Sequence, residues 1–135
     1  MPVITYREAL RQALREEMLR DDSVFILGED IAYYGGSYGV TKGFVEEFGE
    51  KRIKDTPISE TAIIGAATGA AMTGLRPIAE IMSFNFILQA MDQIVNHSAK
   101  IHYMFGGQMQ VPMVIRTPAG WSQLSATHSQ TLEPL

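Results

Sequence analysis

The sequence predicts an α/β fold in which a mainly parallel sheet is flanked by helices. Short apolar runs typical of buried strands alternate along the chain with stretches of helical periodicity. Strands that are separated by helices favour crossover connections, and crossover connections produce parallel pairs. The chain has 135 residues, of which 46% are hydrophobic and 19% charged, and these values are typical of a folded domain with its own core.

The first half of the chain contains two predicted helices and two predicted strands. Apolar residues at helical spacing indicate a helix from Tyr6 to Arg20, which two aspartates follow. The segment "SVFILGE" at 23–29 predicts a short buried strand, and the glycine-rich segment "AYYGGSYG" at 32–39 predicts a loop. A short helix at 40–49 ends at a glycine, and a weaker strand at 52–57 is stopped by a proline.

The second half adds two predicted helices and two predicted strands. A helix from Thr61 to Thr73 begins just after a serine that can cap it. The strand "RPIAEIM" at 76–82, a long helix from about Asn85 to Tyr103 and the strand "VPMVIRT" at 111–117 follow. Ligands of such sheets bind at the carboxyl ends of the strands. The residues predicted to lie at those ends are Glu29, Glu60, Ser83 and Arg116.

Charge, cysteine content and the absence of common motifs exclude several classes of function. A net charge of −4 and a pI near 5.3 give no reason to expect nucleic acid or an anionic membrane as a partner. The chain has no cysteine, its three histidines lack a zinc-binding spacing, and it contains no P-loop, dinucleotide loop or serine elbow. No apolar run approaches the roughly 20 residues of a membrane span, and no signal or transit peptide is visible. We therefore expect a cytoplasmic protein.

A single carboxylate stands at the start of a helix that is built largely from small residues. After Glu60 the sequence carries no charge until Arg76. An acid in the first turn of a helix contributes about 0.3–1 kcal/mol by opposing the helix dipole, so a structural role for Glu60 is sufficient on these grounds alone. Glycine inside a helix costs up to ~1 kcal/mol, so the small residues indicate close approach of another helix, from this chain or another subunit. These residues are Ala62, Gly65, Ala66, Gly69 and Ala70.

Six collinear segments carry a resemblance to a known family: "DTPISE", "GAAMTGLRPIAEIMSFNF", "MDQIVN", "YMFGG", "VPMVIRTP" and "HSQ". In this order they resemble the beta subunits of the pyruvate dehydrogenase component of the 2-oxoacid dehydrogenase complexes, a thiamine-diphosphate family. The matching region of that family is a transketolase-like pyrimidine-binding domain. Family members continue into the rest of this domain and into a second one. The resemblance therefore implies that residues 1–135 form a truncated pyrimidine-binding domain.

The resemblance implies catalytic roles for Glu60 and His128. In the family the glutamate of the "ISE" motif, here Glu60, hydrogen-bonds N1′ of the cofactor's aminopyrimidine and shares a proton with it, which activates the cofactor. A helix N-terminus lowers the pKa of a carboxylate, so desolvation has to outweigh it for this role. His128, in the intact "HSQ", corresponds to a histidine on the substrate side; the alternative is a solvated loop residue.

Four further positions correspond to cofactor or ion contacts in the family. Phe86 corresponds to an aromatic residue that lines the aminopyrimidine pocket, although it also fits a core position, and Met82 is expected nearby. Glu29 corresponds to an acid near the cofactor, with a solvated strand-end carboxylate as the alternative. The backbone carbonyl of Met113 occupies a position that binds a monovalent cation, potassium, in some members.

The resemblance also implies partners. The chain lacks the Gly-Asp-Gly signature with which the family holds the cofactor's diphosphate through a metal. Thiamine diphosphate and magnesium are therefore expected on an alpha subunit, in a tetramer of two alpha and two beta chains, and acetyl transfer then needs the lipoyl acyltransferase component. The expected reaction is the decarboxylation of pyruvate. The alternatives are an acetoin or branched-chain 2-oxoacid dehydrogenase, with Trp121 as a candidate for altering acyl preference, and a non-catalytic fragment.

Overall fold

A parallel sheet forms the centre of the computed structural model, which describes residues 3–120, 125–130 and 132–134. Within these residues the sheet has four strands in the order β2-β1-β3-β4, and every neighbouring pair is parallel. The predicted α/β class with a parallel sheet is therefore confirmed. The strands are β1 (Val24–Gly28), β2 (Ile53–Asp55), β3 (Arg76–Glu80) and β4 (Val114–Arg116).

Helices connect the strands and cover both faces of the sheet. The α-helices are α1 (Tyr6–Arg20), α2 (Phe44–Phe48), α3 (Glu60–Met72) and α4 (Ala99–Met104). Helix α1 starts at a reciprocal capping box, because the Thr5 hydroxyl accepts a bond from the Glu8 amide (3.2 Å) and the Glu8 carboxylate accepts one from the Thr5 amide (3.0 Å). All the predicted helices and strands are found near their predicted positions, with one difference in type.

That difference concerns the long helix expected from about Asn85 to Tyr103. The region is helical throughout, but it begins as a 3₁₀-helix (Phe84–Ala90) and passes through a π-helix (Gln93–Ser98) before α4. The expectation of one regular α-helix is therefore wrong.

Contacts with α3 account for the change of helix type. The Ser98 hydroxyl donates to the Gln93 carbonyl five residues earlier (2.9 Å) and also shares a hydrogen bond with the Thr68 hydroxyl of α3 (2.7 Å). A Cβ added to Gly65 would lie 3.3 Å from Oε1 of Gln93. The segment therefore changes to the wider π-helix where it packs directly against the face of α3 that carries small side chains.

The core consists of two clusters, one on each face of the sheet. Alternate residues of β1 point to opposite clusters, which is why the whole strand is buried. One cluster lies under α1 and α2 and includes Met18, Val24, Ile26, Phe44 and Ile53. The other lies under α3 and includes Phe25, Leu27, Ile63, Ile64 and Ala79.

Gly28, at the end of β1, is required by close contact with β3. A Cβ at this position would lie 2.6 Å from the carbonyl oxygen of Glu80, a backbone atom that cannot rotate away. We expect Gly28→Ala to lower the free energy of unfolding by about 1–3 kcal/mol, measured by urea unfolding, because the two strands would have to separate. Gly69→Ala is the control, since nothing lies within 4 Å of a Cβ there. Alanine should be neutral or stabilise α3 by up to ~1 kcal/mol.

Candidate active site

Glu60 is the first residue of α3 and is buried, with 3% of its surface exposed. Ser59 occupies the N-cap position as expected, but its side chain makes no capping hydrogen bond. Among the described residues, the Glu60 carboxylate has neither a hydrogen-bond partner nor an ion-pair partner. A buried acid without a partner is able to accept a hydrogen bond from a ligand.

Glu29 lies next to Glu60 at the carboxyl edge of the sheet. It follows β1 directly and is 6% exposed, so the alternative of a solvated strand-end carboxylate is wrong. Burial raises the pKa of the Glu29 carboxyl, and the nearby charges of Glu60 and Asp30 raise it further. Glu60 is thus isolated along the sequence but has a second carboxylate close to it in space.

Two enclosed oxygen atoms at this edge have no hydrogen-bond partner within the described part of the chain. One is Oε1 of Glu29, and the other is the hydroxyl oxygen of Thr56. Thr56 follows β2 and donates its amide to the carbonyl of Gly28 (2.9 Å), so it continues the β1–β2 pairing beside Glu29. Buried polar atoms seldom lack a partner, which indicates that a polar group from outside these residues completes the site. Sequence reasoning missed Thr56, although it lies in the quoted "DTPISE" segment.

Phe86 and His128 are in direct contact. Their ring centroids are 5.0 Å apart and their planes meet at 85°, an edge-to-face arrangement. Nδ1 of His128 is within hydrogen-bond distance of the Thr127 hydroxyl (2.9 Å) and the Ser125 hydroxyl (3.2 Å). Both rings are half-buried, and Phe86 also packs against the core cluster under α3. The core position proposed as an alternative for Phe86 is therefore compatible with a place in the site.

The two methionines take different positions. Met82 is half-buried just beyond β3, between the buried residues Ile81 and Ser83. Met113 lies just before β4, and its sulfur accepts a weak hydrogen bond from Thr68 of α3 at 4.0 Å. The roles predicted for these residues, for Glu29 and for the other site residues stay predictions. The described residues include no group of three or more acidic or histidine side chains able to hold a metal ion.

Glu80 and Arg116 form an ion pair that sequence reasoning did not find. They are partners in the β3–β4 register and lie at the carboxyl ends of both strands. Arg116 was expected at this edge, whereas Glu80 was not among the residues predicted to lie there. The available signal was that the apolar cores of the predicted strands "RPIAEIM" and "VPMVIRT" each lead to one charged residue.

The remaining sequence features lie away from this edge. His97 is exposed and pairs with Asp92 (3.4 Å), and Nδ1 of the exposed His102 is 2.9 Å from the Met109 carbonyl oxygen. Trp121 lies outside the described residues. In the described ranges no helix has both the length and the apolar character that crossing a membrane requires.

The parallel-sheet fold, with Glu29 and Glu60 at the carboxyl edge of the sheet, agrees with a comparison to known protein families. Residues 3–133 match the family described as the transketolase pyrimidine-binding domain, and the chain belongs to that family. Among individual proteins, the chain is similar to pyruvate dehydrogenase E1 component subunit beta. The Rickettsia bellii protein is 59% identical over 128 residues, which are 94% of this chain and 39% of the relative.

Mitochondrial relatives of the same name show a similar degree of identity. The Bos taurus protein is 53% identical across 94% of this chain, and the Saccharomyces cerevisiae protein is 52% identical across 97% of it. The alignments cover 36% of each of these two relatives. The chain therefore spans less than half the length of the relatives it matches, and the resemblance inferred from the six segments is confirmed.

The raised pKa of Glu29 leads to a pH-dependent prediction. A carboxyl whose pKa is higher in the folded state than its ordinary value of 4.5 favours folding only while it is protonated. This contribution to stability is fully present when the pH is below the ordinary pKa, and it is lost as the pH rises through the pKa of the folded state. We expect Glu29→Gln to stabilise the fold by about 1 kcal/mol at pH 7.5, since a buried charge without a partner is removed.

The advantage of the glutamine variant should shrink as the pH is lowered towards 4.5, because the wild-type carboxyl then takes up its proton. Thermal unfolding between pH 5 and pH 8 measures the difference. Glu47→Gln, at a more exposed carboxylate paired with Arg15, is the control and should show no comparable pH trend. A Glu29→Gln variant that is less stable than wild type at pH 7.5 would contradict the prediction.

Proposed function

We propose that this chain is the pyrimidine-binding part of a thiamine-diphosphate-dependent pyruvate dehydrogenase, which decarboxylates pyruvate and reductively acetylates a lipoyl group. Family membership and identities of 52–59% to E1 beta subunits support the proposal. The observation that carries it is the buried carboxylate of Glu60, which has no partner among the described residues and lies beside the raised-pKa carboxyl of Glu29.

The residues at the sheet edge fit an aminopyrimidine ring. Such a ring needs an acceptor for a protonated nitrogen, polar partners for its amino group and an apolar surface against the rest of the ring. Glu60 provides the acceptor for the protonated nitrogen, and the two enclosed oxygens of Glu29 and Thr56 suit the amino group. Phe86 and Met82, both half-buried beyond β3, provide the apolar surface.

Each side chain then has a chemical task that its surroundings support. When bound, thiamine diphosphate supplies the electron sink for decarboxylation. Glu60 would accept the ring N–H and hold or return its proton, and Glu29, whose carboxyl pKa is raised by burial and by the nearby charges of Glu60 and Asp30, lies beside it. The hydroxyls of Ser125 and Thr127 hold Nδ1 of His128, which leaves Nε2 to exchange a proton with the substrate oxygen.

Other components of the proposed enzyme lie outside this chain. An alpha subunit would hold the diphosphate and magnesium, in an assembly of two alpha and two beta chains that serves a lipoyl acyltransferase. The Met113 carbonyl, just before β4, is a candidate ligand for potassium because the resemblance places a cation-binding carbonyl at this position. The expected cytoplasmic location stays a prediction.

The test is a substrate comparison with the complete enzyme. The full-length chain is co-produced with an alpha chain that carries the Gly-Asp-Gly signature, and decarboxylation of pyruvate and of branched-chain 2-oxoacids is measured alongside turnover of acetoin. We expect kcat/KM to be at least tenfold higher for pyruvate, a difference of ~1.4 kcal/mol in the barrier. A preference for acetoin or a branched-chain oxoacid would reassign the substrate. An assembly that binds no thiamine diphosphate would identify a non-catalytic domain.

A further inference from the structure

The Glu80–Arg116 ion pair is largely enclosed and takes no part in the proposed reaction. The two side chains are only 10% and 16% exposed, and Nη1 of Arg116 bonds to Oε2 of Glu80. Burial raises the pKa of the Glu80 carboxyl, and the Arg116 charge only partly opposes that rise. The Nε atom of Arg116 is enclosed and has no partner within the described residues. A pair with these features contributes little net stability, because desolvation of the two charges offsets their attraction.

Glu80 and Arg116 stand at the carboxyl ends of β3 and β4, and Glu80 also lies against the end of β1. The Glu80 backbone oxygen lies against Gly28, which precedes Glu29, and the Oε1 atom of Glu80 lies 3.3 Å from where a Cβ on Gly36 would be. Gly36 belongs to the glycine-rich loop, and its amide donates to the carbonyl of Asp30 (2.8 Å). The carboxylate therefore lies between the end of β3 and the turn that follows Glu29.

Arg116 connects the end of β3 to the segment that carries the Phe86–His128 contact. Its carbonyl accepts the amide of Ile81 (2.9 Å), and the carbonyl of Pro118 accepts the amide of Phe84 (2.9 Å). These two bonds fix how the chain leaves β3 and enters the 3₁₀-helix that carries Phe86. The side chain of Asn85 then donates to Gln130 (2.7 Å), close to His128.

We propose that Glu80 and Arg116 are a positioning pair that holds Glu29, Phe86 and His128 in register around the site. Neither residue contacts the reacting atoms; each acts through the strand ends that it joins. The catalytic part of this inference rests on the proposed function, whereas the positional part does not. The backbone bonds of β1, β3 and β4 already join the strands, and the side-chain pair adds a contact between the ends of β3 and β4 and the turn after Glu29.

The experiment compares Glu80→Gln, Glu80→Asp and Arg116→Lys in the full-length chain assembled with its alpha partner. Glu80→Gln removes the charge, Glu80→Asp keeps it but withdraws the carboxylate by one methylene, and Arg116→Lys keeps an ion pair. Glu47→Gln, which breaks the more exposed pair with Arg15, is the matched control. The readouts are hydrogen–deuterium exchange and kcat/KM per mole of assembled enzyme.

We expect the two Glu80 variants to exchange faster in residues 29–41, 81–90 and 125–130 together, while α1 is unchanged. Their kcat/KM should fall about tenfold, whereas Arg116→Lys and Glu47→Gln should stay within threefold of wild type. Glu80→Asp keeps the test decisive where Glu80→Gln does not fold. A folded Glu80 variant with wild-type exchange and kcat/KM within twofold would overturn the proposal. Exchange is measured without turnover, so an enzyme inactive on pyruvate would refute the proposed function and leave this test standing.

Discussion

Glu60→Gln is expected to reduce pyruvate decarboxylation by the assembled enzyme about 100-fold, which corresponds to ~2.7 kcal/mol of barrier. Glutamine has nearly the same size and can still accept a hydrogen bond, but it cannot take a proton from a ring nitrogen. Glu60 is buried, and no described residue is hydrogen-bonded or ion-paired to it, so none of them is already placed to take over the proton transfer. Steady-state decarboxylation rates of wild type and variant, at saturating thiamine diphosphate, provide the measurement.

Glu8→Gln is the matched control for this substitution. Glu8 is also an acid in the first turn of a helix, but it is exposed and belongs to the capping box of α1. The substitution should lower stability only slightly and leave turnover unchanged. If Glu60→Gln keeps turnover within tenfold of wild type, Glu60 is only a first-turn acid like Glu8, and the proton-sharing role is wrong.

Arg52→Ala is expected to lower the free energy of unfolding by about 3 kcal/mol, the largest stability effect that we predict. The guanidinium donates to three carbonyl oxygens, those of Val24 (2.9 Å), Met18 (2.7 Å) and Asp21 (2.9 Å). It also lies 5.4 Å from the centre of the Phe48 ring. Alanine would remove the guanidinium donor from all three carbonyls, of which that of Asp21 keeps the Val24 amide (3.2 Å), and would remove the stem that packs on the ring. Urea unfolding followed by circular dichroism measures the change.

Two further substitutions test whether the three hydrogen bonds of the Arg52 guanidinium cause the predicted loss of stability. Arg52→Lys keeps the charge but cannot reach three carbonyls at once, so it should lose an intermediate amount of stability. Arg15→Ala removes an arginine that is half exposed and, within the described residues, pairs with Glu47, so it should cost much less stability than Arg52→Ala. A loss below 1 kcal/mol in Arg52→Ala would show that water replaces these contacts without penalty.

Much of the fold was predictable because its signals are local. The period of apolar residues marks helices and strands, and strands separated by helices imply a parallel sheet. The meeting of Glu29 and Glu60 was predictable in outline for the same reason, since each residue follows a strand. What the periodicity could not reveal is that Glu29 is buried and that the chain turns at Asp30, which has a positive φ of 53°.

The features that escaped prediction depend on contacts between distant parts of the chain. The change from 3₁₀- to π-helix depends on Ser98 and Thr68, which are 30 residues apart. The Phe86–His128 contact joins a helix to a segment far along the chain, and the six-segment resemblance implied roles for both rings without showing that they touch. The Glu80–Arg116 pair requires the register of β3 against β4, which no single segment encodes.

The two neighbouring acids at the sheet edge also bear on how an anion would enter the proposed site. A 2-oxoacid carries its own negative charge, which the buried carboxylates of Glu29 and Glu60 would repel when they are ionised. The molecule is therefore expected to turn its carboxylate away from these oxygens and to present its ketone inwards. Repulsion alone would then select the orientation in which the departing carbon dioxide faces outward.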